Sequence, residues 1–194
     1  MEEPKKLRSN HGMKVLVLSD IHYPFTDMDQ IRGVIKKEKP DKVVLLGDII
    51  EKKGSDKQFF MEIKRLIGDN YYFLKGDEDK TDYGLESLTL NIGKKRFFFT
   101  HGNKLQGMND KKTEFFVKIL KYFHPELPLL LFAVSARIRK PFFREEIVLG
   151  HAHALARFKR LGVTCAGTLT EMKSLYNDKG YLIITESEIK LKTR

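Results

Sequence analysis

Asp20 and His22 stand one residue apart at the end of an apolar run, in the sequence VLVLSDIHYP. Both side-chain types are common ligands of metal ions. The run from Val15 to Leu18 is aliphatic at every position, which predicts a strand buried on both faces, as in a parallel sheet. Ligands bind at the carboxyl ends of the strands in such sheets. The pair could therefore hold one ligand, although a turn-capping Asp20 and an ordinary loop histidine at His22 would also explain it.

Four more apolar runs end in residues of the same kinds. KVVLLGD ends in Asp48, YYFLKGDED contains Asp77, RFFFTHG ends beyond His101, and EEIVLGHAH contains His151 and His153. Core packing does not explain such a cluster, because neighbouring carboxylates repel each other and lose solvation. A pair of cations would remove the repulsion. Oxygen and imidazole donors suit manganese, iron, zinc or nickel, and Asp48 could bridge two metals.

A sheet must position these residues, and the apolar pattern predicts one. We expect strands at 14–19, 42–47 and 70–75 with helices at about 28–38 and 56–67 between them. This alternation is typical of βαβ units and a parallel sheet. From Leu88 onward the apolar runs are short and separated by turns, which predicts hairpins stacked on the first sheet. No repeat or linker is visible, so we expect one domain over residues 13–194 after a flexible tail at 1–12.

Composition indicates a globular protein. The chain has 194 residues, 41% hydrophobic and 32% charged, which is long enough for one domain with a sizeable core. The single cysteine, Cys165, excludes an internal disulfide, suits a reducing compartment and is best explained as a small buried residue. The first twelve residues mix acids and bases without an apolar core, unlike a secretion signal. Residues 127–134, the longest apolar run, fall short of the roughly 20 residues that span a bilayer. We expect a soluble cytoplasmic protein.

The net charge of +10 and the pI near 9.5 favour an anionic partner. Nucleic acid, an acidic membrane surface and phosphorylated metabolites would all be attracted. Lysine is spread along the whole chain, as in KKEKPDK, and scattered lysine is more typical of a solvated surface than of a nucleic-acid interface. A polymeric nucleic acid therefore stays an alternative rather than the preferred partner.

Taken together, the motifs resemble those of the calcineurin-like metallophosphoesterase family, in particular its small archaeal and bacterial phosphodiesterase branch. The order is Asp-x-His, Gly-Asp, Gly-Asn-His-Asp/Glu, His-Gly and Gly-His-x-His. Here it reads Asp20 and His22, Gly47-Asp48, Gly76 to Asp79, His101-Gly102, and Gly150 to His153. The resemblance implies an α/β fold, a four-layer α/β/β/α sandwich with mixed sheets and a two-metal centre.

The resemblance also implies ligand sets and a reaction. One metal would be held by Asp20, His22, Asp48 and His153, and the other by Asp48, Asp77, His101 and His151. Family members hydrolyse phosphomonoesters, phosphodiesters or pyrophosphates. A hydroxide held between two cations exists at neutral pH and attacks phosphorus in line, while the metals neutralise the phosphate oxygens.

Two positions depart from the family pattern. Asp77 replaces the family's Asn, so three aspartates against two divalent cations (4 − 3 = +1) leave a lower positive charge than two aspartates would. Metal should bind more tightly and act as a weaker Lewis acid. Glu78 replaces the His that assists the leaving group, and it could donate a proton only if burial raised its pKa. Asp48, Asp77 and Glu78 are the candidate catalytic residues.

The interval between His101 and His151 is longer than a hairpin needs (151 − 101 = 50). Apolar residues at helical spacing, Phe115, Phe116, Ile119, Leu120 and Phe123, predict a helical insertion within 102–146. It could be an extra helical pair packed on the sandwich. Alternatively, it could cap the metals, its apolar face meeting an acyl chain, a base or a second subunit in a homo-oligomer. The basic residues that would then bind phosphate are Arg137, Arg139, Lys140 and Arg144. A cap of this kind resembles that of the pyrophosphatases acting on UDP-linked diacylglucosamine.

Three functions stay open. A metal-dependent phosphodiesterase or phosphatase acting on a small phosphorylated or nucleotide-like substrate is preferred, with two divalent transition metals, manganese first. A nuclease is second. The third is a catalytically weak scaffold, because the resembling family also includes a retromer subunit that lacks the same histidine and binds proteins.

Overall fold

The structure is a computed structural model, and it describes residues 12–103, 119–122, 124–140, 144–172 and 174–194. Ten strands and three helices are defined in these ranges. In chain order they are β1 (Val15–Leu18), α1 (Met28–Glu38), β2 (Lys42–Leu46), α2 (Asp56–Ile67), β3 (Tyr71–Leu74), β4 (Ser87–Ile92), β5 (Lys95–Thr100), α3 (Leu127–Arg139), β6 (Glu145–Leu149), β7 (Leu155–Phe158), β8 (Val163–Ala166), β9 (Gly180–Ile184) and β10 (Ile189–Thr193).

The strands form two five-stranded mixed sheets. The first has the order β10-β9-β1-β2-β3, and the second has the order β4-β5-β6-β8-β7. In the first sheet β1, β2 and β3 are parallel, as the βαβ pattern predicts. In the second sheet β5, β6 and β8 are parallel, with β4 and β7 antiparallel at the edges. The carboxyl ends of six parallel strands therefore define the edges at which ligands can collect.

Alternation along the strands separates three apolar layers. Val15 and Val17 face the second sheet, where they meet Phe97 and Phe99, and Leu16 between them faces the helices. Because successive side chains of a strand point to opposite faces, β1 can be apolar throughout only when both faces are covered. The layers are α1 and α2, the first sheet, the second sheet and α3, which confirms the four-layer α/β/β/α architecture.

The outer helices follow simple sequence rules. Helix α1 buries Ile31, Val34 and Ile35, at the spacing of one helical face, and Asp27 caps its start by accepting the N–H of Asp29. Helix α3 carries Pro128 in its first turn, where a missing N–H costs no helical hydrogen bond. Its buried face, including Leu129 and Ala133, packs on the outer face of the second sheet.

The second half of the chain differs from the sequence expectation in two ways. The pairs β4–β5, β7–β8 and β9–β10 are antiparallel hairpins as expected. The last hairpin, however, does not stack on the first sheet but extends it, because β9 pairs antiparallel with β1. Strand β6 belongs to no hairpin, since it lies between β5 and β8 and runs parallel to both.

The insertion between β5 and β6 is described in part. Residues 119–122 are helical, and α3 packs against the sheet, as the interpretation of an added helical layer predicts. Phe115, Phe116 and Phe123 lie outside the described residues, as do residues 1–11 of the tail expected over 1–12. Within the described ranges, no helix combines the length and the apolar character needed to cross a membrane.

Candidate metal centre

Loops at the carboxyl ends of the first sheet carry four of the predicted ligands. The N–H of Asp20 donates to the carbonyl of Gly47 (3.1 Å), and the N–H of His22 donates to the carbonyl of Asp48 (2.9 Å). The loops after β1 and β2 therefore run side by side. Asp77 follows β3 in the same sheet, so three parallel strands deliver their carboxylates to one edge.

The second sheet brings its histidines to the same place. His101 follows β5, and its carbonyl accepts the N–H of Gly150, which follows β6 (3.1 Å). The N–H of His151 donates to Oδ2 of Asp20 in the first sheet (3.2 Å). The cluster is thus assembled between the two sheets, and all seven predicted ligands lie in it.

Most of these residues have a backbone conformation that L-amino acids rarely adopt. Among the described residues, six that are not glycine have a positive φ, and five of the six are candidate ligands: Asp20, His22, Asp48, His151 and His153, with φ between 50° and 61°. Each such residue costs of order 1–3 kcal/mol and persists only where its surroundings impose it. Strain of this kind is concentrated at functional sites, so the backbone supports the assignment independently of residue type.

Three glycines make room for the cluster. A Cβ atom at Gly47 would lie 2.3 Å from Nδ1 of His101, and one at Gly76 would lie 2.1 Å from Oδ1 of Asp48. A Cβ at Gly150 would lie 2.2 Å from the hydroxyl of Ser19. The glycine before each of Asp48, Asp77 and His151 therefore lets ligands from different strands approach closely.

The first group of ligands consists of Asp48, Asp77, His101 and His151. Nε2 of His101 lies 3.0 Å from Oδ2 of Asp48 and 3.2 Å from Oδ1 of Asp77. Nδ1 of His151 lies 3.3 Å from the same Asp77 oxygen. Nδ1 of His101 lies 3.0 Å from the carbonyl of Leu46, which only a protonated Nδ1 can bond, so Nε2 is left to face the carboxylates.

The second group consists of Asp20, His22 and His153, all buried. Nε2 of His153 lies 3.2 Å from Oδ1 of Asp20. Two ring nitrogens of this group, Nε2 of His22 and Nδ1 of His153, are buried without a hydrogen-bond partner among the described residues. Buried polar atoms are nearly always partnered, and here they all belong to metal-ligand types. The donor set of each group therefore fits a divalent transition metal.

The electrostatics of the cluster follow from these contacts. Burial alone would raise the pKa of the Asp77 carboxyl, but His101 and His151 hold that pKa well below its usual range. Burial would lower the pKa of His101, yet the hydrogen bonds that it donates to the carboxylates of Asp48 and Asp77 raise this pKa well above its usual value. A positive charge among the carboxylates would therefore stabilise them. A proton on His101 or a bound cation can supply that charge.

A third group of side chains adjoins the second. Oε2 of Glu51 lies 2.9 Å from Nδ1 of His22, and Oε2 of Glu78 lies 3.4 Å from the same nitrogen. The N–H of Glu78 donates to Oδ1 of Asp48 (2.9 Å), so the loop after β3 contacts the cluster directly. Burial and the charge of Asp48 raise the pKa of Glu78 above its usual value. Sequence reasoning missed Glu51, and only its spacing of three residues from Asp48 could have indicated it.

Asp79, the last residue of the Gly-Asp-Glu-Asp motif, binds backbone N–H groups through its carboxylate. Its Oδ1 accepts the N–H groups of Ile49 (2.8 Å) and Ile50 (2.6 Å), and its Oδ2 accepts the N–H of Gly76 (2.7 Å). The side chain is buried. Asp79 therefore ties the loop after β2 to the loop after β3 and holds Asp48 and Asp77 in their relative positions.

The structure does not bring Arg137 to the cluster. Its buried guanidinium donates to four carbonyls, those of Leu161 (2.6 Å), Glu145 (2.9 Å), Gly162 (2.8 Å) and Lys140 (3.2 Å). These carbonyls lie at the amino ends of β6 and β8, whereas the ligands follow the carboxyl ends. The expectation that Arg137 contacts substrate is corrected accordingly, because the contacts give it a structural role.

The other three candidate substrate-binding residues also lie near the amino ends of the second sheet's strands or at the surface. The ammonium of Lys140 is 4.0 Å from the ring centroid of Phe98 in β5. Arg144 directly precedes β6 and is exposed, and Arg139 is exposed at the end of α3. Helix α3 approaches the candidate ligands through Phe132, whose ring centroid is 6.5 Å from that of His151.

Comparison with known proteins places this geometry in a family. Residues 13–186 match the model of the calcineurin-like phosphoesterase superfamily domain. No curated protein sequence matches the chain. Vacuolar protein sorting 29 (Vps29) from Cryptosporidium parvum has a similar structure, with a TM-score of 0.61 at 17% identity over 95% of this chain and 98% of that chain.

Two further solved structures are similar. One is YfcE, a phosphoesterase from E. coli, with a TM-score of 0.56 at 14% identity over 93% of each chain. The other is an archaeal phosphodiesterase, with a TM-score of 0.56 at 14% identity over 94% of this chain and 100% of that chain. At these identities the three structures establish a shared fold.

Proposed function

The chain belongs to the calcineurin-like phosphoesterase superfamily, and from this premise we propose that it is a metal-dependent phosphodiesterase or phosphatase. The proposed substrate is a small phosphorylated molecule or a nucleotide. The observation that carries the proposal is the convergence of seven candidate ligands from five strands of two sheets, with unpartnered buried donor atoms among them.

Two divalent transition metals, manganese first and iron, zinc or nickel as alternatives, are the proposed cofactors. Asp48, Asp77, His101 and His151 would hold one, and Asp20, His22 and His153 would hold the other, with Asp48 shared between them. Two such cations supply a hydroxide nucleophile at neutral pH and neutralise the phosphate oxygens. The N–H of His22, a member of the second group, donates to the carbonyl of Asp48 (2.9 Å), which supports a position of Asp48 beside both groups.

The protein's own residues would orient the reaction. His101 is fixed by the carbonyl of Leu46 and offers Nε2 to the centre. Glu78 lies where the family has a histidine, and its pKa is raised by burial and by Asp48. We propose that Glu78 faces the leaving group and, in its protonated fraction, donates to the leaving oxygen. Because an ionised Glu78 cannot donate, substrates whose leaving groups need little protonation should react best.

The test combines metal analysis with a substrate panel. The chain would be purified with manganese supplied, its metal content measured at neutral pH, and hydrolysis followed for aryl and alkyl mono- and diesters with each divalent ion. We expect up to two metals per chain and hydrolysis that a chelator abolishes. Less than about half an equivalent of metal would contradict the proposal and favour a scaffold, since the clustered ligands would then serve no centre.

A nuclease is the second candidate, supported by the net charge of +10. Binding of DNA at increasing salt separates it from an enzyme for small substrates. A protein that binds many phosphates loses affinity steeply with salt, because it releases a counterion for each phosphate contacted. We expect weak DNA binding of shallow salt dependence, and a steep slope together with cleavage of DNA would favour the nuclease.

A further inference from the structure

The imidazole of His22 has a different environment at each nitrogen. The side chain is only 2% exposed. Nδ1 lies 2.9 Å from Oε2 of Glu51, whereas Nε2 is buried and has no hydrogen-bond partner among the described residues. A carboxylate can only accept a hydrogen bond, so a contact of this length requires the proton to be on Nδ1. Nε2 then carries the lone pair, and only Nε2 can bind a metal.

Backbone contacts hold Glu51 in this place. The N–H of Tyr23 donates to the carbonyl of Ile49 (2.7 Å), and the N–H of Glu51 donates to the carbonyl of Tyr23 (2.9 Å). The segment that follows His22 therefore pairs with the segment that precedes Glu51. Tyr23 and Ile50 form a parallel β-bridge, which places His22 and Glu51 on either side of the paired residues. The contact is thus built by the fold and does not depend on a flexible surface side chain.

We propose that Glu51 is a positioning residue for the second ligand group, acting through His22. By accepting the Nδ1–H, Glu51 fixes the tautomer and the ring orientation in which Nε2 faces Asp20 and His153. A carboxylate behind a ligating histidine also makes the imidazole a stronger donor. The inference rests on the proposed function, because it assigns to Glu51 a role toward the metal of that function.

Glu78 is a rival acceptor for the same proton. Its Oε2 is 3.4 Å from Nδ1 of His22, beyond the 2.9 Å of Glu51, and its side chain is 49% exposed against 22% for Glu51. When Glu51 is removed, Glu78 can move in and partly replace it. The two carboxylates therefore act on one nitrogen, and their effects on metal binding should be non-additive.

The experiment measures the tautomer and the metal affinity separately. Long-range ¹H–¹⁵N NMR of the metal-free protein identifies which nitrogen of His22 carries the proton. Isothermal titration calorimetry with Mn²⁺ gives the affinity of each site. The variants are Glu51→Ala, Glu51→Gln, Glu78→Ala and the double variant Glu51→Ala with Glu78→Ala. Glu188→Ala, an exposed residue in the distant β9–β10 turn, is the matched control.

Glu51→Ala should weaken Mn²⁺ binding at one of the two sites, the second ligand group, by about 10- to 100-fold and shift His22 toward a mixture of tautomers. The Mn²⁺ affinity of Glu51→Gln should stay within a few-fold of wild type, because the amide oxygen of Gln still accepts the hydrogen bond from the Nδ1–H of His22. The double variant should lose more than the product of the two single losses. Circular dichroism and the control variant establish that the fold is intact.

Unchanged Mn²⁺ affinity and an unchanged Nδ1–H tautomer in a folded Glu51→Ala protein would overturn the inference and leave the proposed function standing. A Glu51→Gln protein as impaired as Glu51→Ala would overturn it as well, because the acceptor oxygen would then not be the cause. Absence of Mn²⁺ binding by wild type would overturn the proposed function together with the inference.

Discussion

Nε2 of His101 lies 3.0 Å from Oδ2 of Asp48, although His101 follows a strand of one sheet and Asp48 a strand of the other. The other oxygen of Asp48 accepts the N–H of Glu78. One carboxylate thus joins both sheets and the loop after β3. A change at Asp48 should therefore alter the relative positions of several candidate ligands at once.

Asp48→Asn should reduce kcat/KM by at least about 10²-fold, more than a change at any other ligand, because a shared carboxylate acts on both cations. The measurement is hydrolysis of an aryl diester together with metal content. Asp82→Asn, an exposed aspartate in the loop after β3, is the matched control and should retain activity. Wild-type rates in an Asp48→Asn protein that still binds two metals would refute the shared role.

Gly76→Ala should damage the centre through its extra methyl group. The new Cβ would lie 2.1 Å from Oδ1 and 2.5 Å from the backbone nitrogen of Asp48, so the loop must shift. We expect a loss of about 1–3 kcal/mol in the free energy of unfolding, measured with urea, and reduced metal uptake. Gly33→Ala, which meets nothing within 4 Å in helix α1, should gain roughly 0.5–1 kcal/mol instead. Equal stability of the two variants would contradict the proposed packing.

Glu78→His should restore the family's leaving-group donor and remove an anion beside the phosphate. The gain should be roughly 10²-fold or more on substrates with poor leaving groups and smaller on good ones, as for a general acid. The measurement is kcat/KM for wild type and variant across esters graded in leaving-group pKa. A steeper dependence in wild type supports the prediction. Equal slopes of log kcat/KM against leaving-group pKa in the two proteins would mean that Glu78 lies away from the leaving group or already supplies the proton.

Glu38 should stabilise the protein at neutral pH but not in acid. Burial would raise the pKa of its carboxyl, but Lys14 (3.0 Å) and the hydroxyl of Tyr181 (2.9 Å) hold it below its ordinary value of 4.5. A lowered folded-state pKa adds stability above the unfolded-state pKa, and this is lost as the pH falls through the folded-state value. Glu38→Gln should therefore cost about 1 kcal/mol at pH near 7 and almost nothing well below 4.5.

Urea unfolding of wild type and Glu38→Gln at several pH values checks this dependence. The control is Glu188→Gln, whose exposed ion pair with Lys190 is screened by solvent and should change the stability little at any pH. A difference between wild type and Glu38→Gln that does not change with pH would show that ionisation of Glu38 is not its source.

The convergence of the candidate ligands could be predicted from the sequence, because their positions follow from local pattern. A run such as Val15 to Leu18 has to be buried on both faces, and the carboxyl ends of parallel strands share an edge. Asp20, Asp48 and Asp77 therefore converge whatever the details of the loops. The same pattern predicted helices α1 and α2 within a residue or two of their observed bounds.

Tertiary structure alone decided what depends on which atoms meet across the fold. The position of β9 beside β1 follows from pairing between residues far apart in the chain, which no local pattern specifies. Arg137 is expected from the sequence to bind phosphate, yet a guanidinium with five donors can be buried when backbone carbonyls surround it. Glu51 gains its role from one nitrogen of His22, and a sequence does not reveal which way a ring faces.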